Sequence, residues 1–184
     1  MLRRISVLTF LGLLTGGVVA VLAVGFVEAV LALNDALLVS PGTRTEHVDT
    51  RWFTVLAIAI PTLAGFVVGL MSLLLRQRRF HRPPDAIRAA HTPHAEMPVR
   101  AGIVSAVAAG LSLGAGASVG QYGPLVHLGA SLGSWIRRWT NADRSLGTIG
   151  IACGAAAAIS AAFHAPIAGL IFAREVVLRH YSLR

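Results

Sequence analysis

Residues 101–136 contain no Asp, Glu, Lys or Arg, yet the middle of that run reads Gly-Ala-Gly-Ala-Ser-Val-Gly-Gln-Tyr-Gly-Pro over positions 114–124. Glycines at that density followed by a proline do not continue an apolar helix cheaply. The pattern predicts a first helix over about 97–117, a short non-helical break, and a second helix over about 123–139 with Pro124 in its first turn. Proline is tolerated there because its missing N–H is no loss. The second helix then turns free N–H groups and the positive end of its dipole toward the break. In hydrocarbon such a break survives only against protein or a water-filled cavity. A helix N-terminus in that setting suits an anion.

Composition supplies that setting. Hydrophobic residues make up 55% of the chain and charged ones 13%, against about 25% charged in a soluble domain. This is the balance of an integral membrane protein. The net charge of +8 comes from sixteen basic residues, all arginine. They cluster at the ends of apolar runs, which points to membrane topology rather than nucleic acid. A single cysteine, Cys153, excludes a disulfide within the chain and a cysteine metal cluster, and reads as a small packing residue.

Arg3 and Arg4 precede an uncharged run over 5–27, whose helical pattern continues to about 38. The run is too long for a signal-peptide core of about 7–15 residues, and long enough to span. A polar loop over 40–51 leads to a second uncharged run over 52–75, with Pro61 as a possible kink site. The densest basic cluster follows at 76–82. Two spans separate it from Arg3 and Arg4, so both clusters share a side. The positive-inside rule makes that side, and the N-terminus, cytoplasmic. Pro83-Pro84-Asp85 opens a short amphipathic helix to about 91, too short to span. Beyond Arg137 and Arg138, Asn141 or Asp143 is a candidate cap for the next helix. A second interruption at a proline reads Phe163-His-Ala-Pro166. Small residues four apart (Gly110/Gly114, Gly116/Gly120, Ala156/Ser160) mark places where helices approach closely.

Other motifs have weaker claims. G-x-S-x-G occurs around Ser112, Ser118 and Ser131, but no strand precedes any of them and no acid partner is evident, which disfavours an intramembrane hydrolase. The spacing at Gly114, Gly116 and Gly120 is not a dinucleotide fingerprint. His91 and His94 with Glu96 read as a polar connection at the membrane surface rather than a metal site. His164 reads as a buried neutral histidine. His127 either lines a pathway or hydrogen-bonds a neighbouring helix.

The segment Gly120-Gln-Tyr-Gly-Pro-Leu-Val-His-Leu-Gly129 resembles the G-[KR]-E-G-P-x-V-x-[IL]-G signature of CLC chloride channels and chloride/proton antiporters. Residues 152–172 resemble a later stretch of that family, A-x-G-x-x-A-G-x-A-x-x-F-x-[AS]-P-[IL]-[AG]-G-x-[IL]-F, in the same order and at about the same spacing. The resemblance implies an all-α membrane protein. Residues 1–184 would form one transmembrane domain, the first half of an inverted-repeat fold with broken and re-entrant helices. It implies a multi-pass location, expected in a bacterial inner membrane, and a homodimer. The substrate would be chloride or a similar monovalent anion, with no cofactor, metal or nucleic acid and no enzymatic chemistry. Gly120, Gln121, Tyr122, Gly123 and Pro124 would form the filter. His81, in place of the family's anion-binding serine, is a weaker inner contact.

The departures matter for mechanism. Tyr122 stands where the family has its gating glutamate. A phenol with a pKa of about 10 stays neutral at pH 7, so it cannot compete as a charge or carry a proton as a carboxylate does, though it can donate a hydrogen bond. After Phe172, where antiporters carry paired acids, the chain reads Ala173-Arg-Glu-Val176. Glu175 matches the first of the pair, and Val176 falls at the proton relay. The expectation is passive anion conduction, with a proton-coupled antiporter as the alternative. The family's second half is not in these residues, so a truncated frame, or a non-conducting fragment that packs on a partner, is the other expectation.

Overall fold

The structure, a computed structural model, describes residues 2–37, 50–73, 83–92, 97–140 and 146–178. His81, His94, Glu96, Asn141 and Asp143 lie outside the described residues. Among the described residues there are seven α-helices and no strand: α1 (Leu2–Leu37), α2 (Thr50–Leu73), α3 (Pro83–Ala90), α4 (Val99–Gly114), α5 (Tyr122–Trp139), α6 (Gly147–Phe163) and α7 (Pro166–Phe172). A π-helical turn, Ala173–Val177, continues α7. The described residues form an all-α fold, with helices broken at both predicted places.

Two stretches, Ile5–Leu37 and Thr54–Leu73, are long and apolar enough to cross a membrane. The 36 residues of α1 rise about 54 Å at ~1.5 Å each, more than a hydrocarbon core of about 30 Å, which such a helix accommodates by tilting. Pro61 lies inside α2 without ending it. Val55, Ile58, Leu63, Phe66 and Leu70 of α2 are exposed, the surface expected where the surrounding solvent is lipid.

The centre of the assembly is the antiparallel pair α5 and α6. A Cβ built on Gly129 would strike the carbonyl oxygen of Gly154, and one on Gly154 would strike that of Gly129. Gly133 and Gly150 meet in the same way one turn along. The two backbones therefore touch directly, the arrangement that small residues four apart permit between membrane helices. This seam, Gly129/Gly133 on one helix and Gly150/Gly154 on the other, is not among the small-residue pairs picked out above. Of those, Gly110 and Gly114 face Phe26 and Leu33 of α1, and Ala156 and Ser160 receive Gly169 of α7. Gly116 and Gly120 are not helical; both lie in the break, at φ 90° and 70°.

Other elements pack onto this pair. Val19 and Ala23 of α1 join Leu125, Leu132 and Ala158 in one cluster. Ala86 and Ala90 of α3 join Val126, Ala130, Ile151 and Ala155 on the opposite side. Leu11 of α1 clusters with Ile136 and Leu146, so the Arg137/Arg138 end of α5 lies beside the N-terminal part of α1. Arg138 reaches back to the carbonyl of Met97 at 3.5 Å, and the Met97 N–H donates to Ser134 Oγ at 3.2 Å. The start of α4 and the end of α5 thus share one end of the bundle, and the break between them sits at the other. The cap position of α6 is Leu146, with no side-chain cap, and its side chain packs with Leu11 and Ile136.

The seam predicts a sharp contrast among glycines. Gly154→Ala should destabilise by about 1–3 kcal/mol, the usual cost of forcing a methyl into a filled contact. Gly17→Ala and Gly65→Ala, where nothing lies within 4 Å of the added carbon, should leave stability unchanged or raised. Reversible unfolding in mixed detergent–SDS micelles, followed by far-UV circular dichroism, separates the two.

Candidate functional site

Helix α4 ends at Gly114 and α5 begins at Tyr122, so the break covers 115–121. Gly116 (φ 90°) and Gly120 (φ 70°) turn the chain through the left-handed region, where a Cβ carries a steric cost. Helix α5 starts slightly earlier than the proline suggested: Tyr122 is its first residue, Gly123 its second and Pro124 its third. Its first intrahelical bond runs from the Leu125 N–H to the Gln121 carbonyl at 3.3 Å. Among the described residues, no backbone carbonyl receives the N–H groups of Gly120, Gln121, Tyr122 or Gly123. Gln121 provides no side-chain cap. The break therefore offers unpaired donors at the positive end of an 18-residue helix. Gly120 is exposed, and 121–124 are half-buried.

Tyr122 is held by two rings. Its centroid lies 6.0 Å from that of Phe163, tilted by 50°, and 5.9 Å from that of Phe172, nearly perpendicular at 87°. Edge-to-face contacts in this range are worth about 0.5–1.5 kcal/mol each beyond burial. Phe163 ends α6 and Phe172 ends α7, so the phenol ring joins the α4–α5 break to the α6–α7 break. The second break consists of His164 and Ala165. His164 takes φ 50°, and the Ala165 N–H bonds the Ser160 carbonyl at 3.1 Å. His164 is exposed, which corrects the expectation of a buried histidine: it caps the helix end in a left-handed conformation and so points out of the apolar run.

The remaining candidates fall elsewhere. His127 is 0% exposed and packs with Ser131 against α4. A Cβ on Gly102 would lie 2.9 Å from Ser131 Oγ and 3.5 Å from His127 Nδ1. His127 thus belongs to the α4–α5 interface, one and a half turns into the helix, rather than to the break. Ser112 Oγ donates to the Ala108 carbonyl of its own helix at 3.0 Å, Ser118 is exposed in the break, and Ser131 is fully buried. Cys153 is half-buried within α6. His91 is exposed after α3, and among the described residues no three His, Cys, Asp or Glu side chains cluster as for a metal. Glu175 is exposed in the π-helical turn, and Val176 beside it is half-buried. Sequence reading assigned no role to Phe163 or Phe172. Both stand at fixed places in the resembled motif, and an aromatic at 122 was the signal that they would have a ring to receive.

The chain matches known proteins over most of its length. A family model described as "Voltage gated chloride channel" covers residues 63–184. The voltage-gated ClC-type chloride channel ClcB of Escherichia coli O81 (strain ED1a) is 31% identical over 96% of this chain and 42% of its own length. ClcB of Shigella boydii serotype 18 (strain CDC 3083-94 / BS512) matches at the same identity and coverage. The crystal structure of a slow cyanobacterial Cl−/H+ antiporter superposes with a TM-score of 0.69 and 25% identity, over 95% of this chain and 41% of that one. The chain thus spans less than half the length of these relatives.

If Tyr122 holds the two breaks together through its ring, Tyr122→Phe should unfold with wild-type stability. Tyr122→Ala should lose about 1–3 kcal/mol, the sum of two aromatic contacts. The same micellar unfolding assay reads both.

Proposed function

The chain belongs to the voltage-gated chloride channel family, and on that premise we propose that it forms the first half of a transmembrane pathway for chloride or a similar monovalent anion. Supporting this reading above all is the unpaired backbone at Gly120, Gln121, Tyr122 and Gly123, set at a helix N-terminus inside the segment that resembles the family's filter. Such donors are already oriented, so an anion exchanges its water for N–H groups without reorganising the protein. The glycines let the backbone come close to the ion. Pro124 leaves one N–H fewer to satisfy, and the Tyr122 hydroxyl is a further donor. His81 is a weaker inner contact in this reading. The orientation proposed is N-terminus inside, with the arginine-bearing ends of α1 and α5 at the cytoplasmic face. The anion, the bilayer and a second copy of the protein are the proposed partners.

Conduction is passive in this proposal. A carboxylate at 122 could occupy the anion site, leave it and carry a proton, whereas a neutral phenol does none of these. Its ring contacts to Phe163 and Phe172 also favour a fixed position over a swinging one. Val176 at the relay position removes the second proton group. A second reading is a non-conducting membrane unit that packs on a partner protein.

Reconstitution into liposomes separates these. The passive reading expects chloride efflux down its gradient with no movement of protons against theirs, and Tyr122→Glu is the variant in which proton movement should begin to follow chloride. Uphill proton transport driven by chloride in the wild-type protein would overturn passivity. No flux in liposomes of verified folded protein favours the packing unit.

A further inference from the structure

An α-helix ends with four carbonyls that its own backbone does not pair. In α4 these belong to Leu111, Ser112, Leu113 and Gly114. The chain of the break takes up three: the Ala115 N–H bonds the Leu111 carbonyl at 3.0 Å, the Ala117 N–H that of Ser112 at 2.9 Å, and the Gly116 N–H that of Leu113 at 2.9 Å. The fourth is met from another helix. Asn34 of α1 donates its side-chain amide to the Gly114 carbonyl at 3.3 Å, across 80 positions of sequence.

That bond needs close approach, and the sequence provides it. A Cβ on Gly114 would lie 2.5 Å from Leu33 Cδ2 and 2.7 Å from Leu33 Cγ, so any larger residue at 114 would push α1 away. Gly110, one turn earlier, sits against Phe26 and keeps the two helices parallel and in contact up to the break. In an apolar setting both partners need each other: an unmet carbonyl costs several kcal/mol in hydrocarbon, and an asparagine amide among apolar side chains needs an acceptor.

We propose that Asn34 is a positioning residue for the anion filter. It fixes where α4 stops, and therefore where the glycine-rich backbone of 115–121 begins. Together with the ring contacts of Tyr122, it holds the break at both ends: α1 sets the entrance side, and α6 and α7 set the side where α5 starts. This rests on the reading of the break as an anion site for its functional consequence, but not for its structural one.

The test uses the full chain in lipid nanodiscs, and amide hydrogen exchange at Ala115, Gly116 and Ala117, whose N–H bonds close α4. Asn34→Leu keeps the size and removes the donor. Asn34→Ser keeps a polar group that is too short to reach, and guards against misfolding of the leucine variant. Both should speed exchange at these amides by about tenfold, the loss of one buried hydrogen bond. The central amides of α5 and α6 should stay unchanged, and Asn34→Gln should restore protection. Unchanged exchange at 115–117 in a folded Leu or Ser variant overturns the proposal. In liposomes where the wild type carries anions, the same two variants should shift the nitrate-to-chloride flux ratio and Gln should return it; an unshifted ratio overturns the positioning role. Absence of wild-type flux instead counts against the anion-pathway reading, and the exchange result then decides the role of Asn34 by itself.

Discussion

The backbone contact between α5 and α6 sets where the other helices pack. Gly129 against Gly154 and Gly133 against Gly150 bring two helices together without intervening side chains. Association in a bilayer gains nothing from excluding lipid in favour of protein of equal apolarity, so it relies on such close packing. With α5 fixed in this way, its N-terminus is fixed too, and so is the direction in which its free N–H groups point. The same seam sets the register between the two breaks: antiparallel packing places Tyr122, at the start of α5, beside Phe163, at the end of α6.

The break can then be polar and open without unravelling. Its left-handed glycines, Gly116 and Gly120, let the chain reverse within a few residues; the N–H groups of 115–117 close the end of α4, while those of 120–123 meet no backbone carbonyl among the described residues. Such a segment is costly in hydrocarbon. Its cost is offset by order at both ends, from Asn34 on the Gly114 carbonyl and from two phenylalanine rings on Tyr122. The site is electrically distinctive for what it lacks. The residue at 122 is a tyrosine, so position 122 itself places no negative charge at the positive end of α5.

Much of this was legible in the sequence because it depends on local chemistry. Uncharged runs located α1 and α2 to within a few residues, Pro83-Pro84-Asp85 located α3, and the glycines before Pro124 located the break. Pro124 misled slightly about the start of α5, since proline suits the third helical position as well as the first, lacking an N–H that would be unpaired in either. What depends on pairing between distant segments was hidden. The glycines of the seam appeared in the sequence only within motifs, around Ser131 and in the stretches 120–129 and 152–172, because nothing in 129–133 names 150–154 as its partner. Asn34 carries no motif of its own, and its meaning comes from the Gly114 carbonyl it meets 80 positions along the chain. His164 was read as buried from the apolarity of its neighbours, but its left-handed backbone turns it outward.

In the proposed function, the break between α4 and α5 is built to hold an anion. Bromide substitutes for chloride and scatters anomalously, so crystals of the protein grown in bromide test the claim without depending on transport. The claim predicts an anomalous difference peak within hydrogen-bonding distance of the Tyr122 and Gly123 N–H groups, reduced when Gly123 is replaced by a bulky residue. A well-ordered break with no bromide at the start of α5 would contradict it.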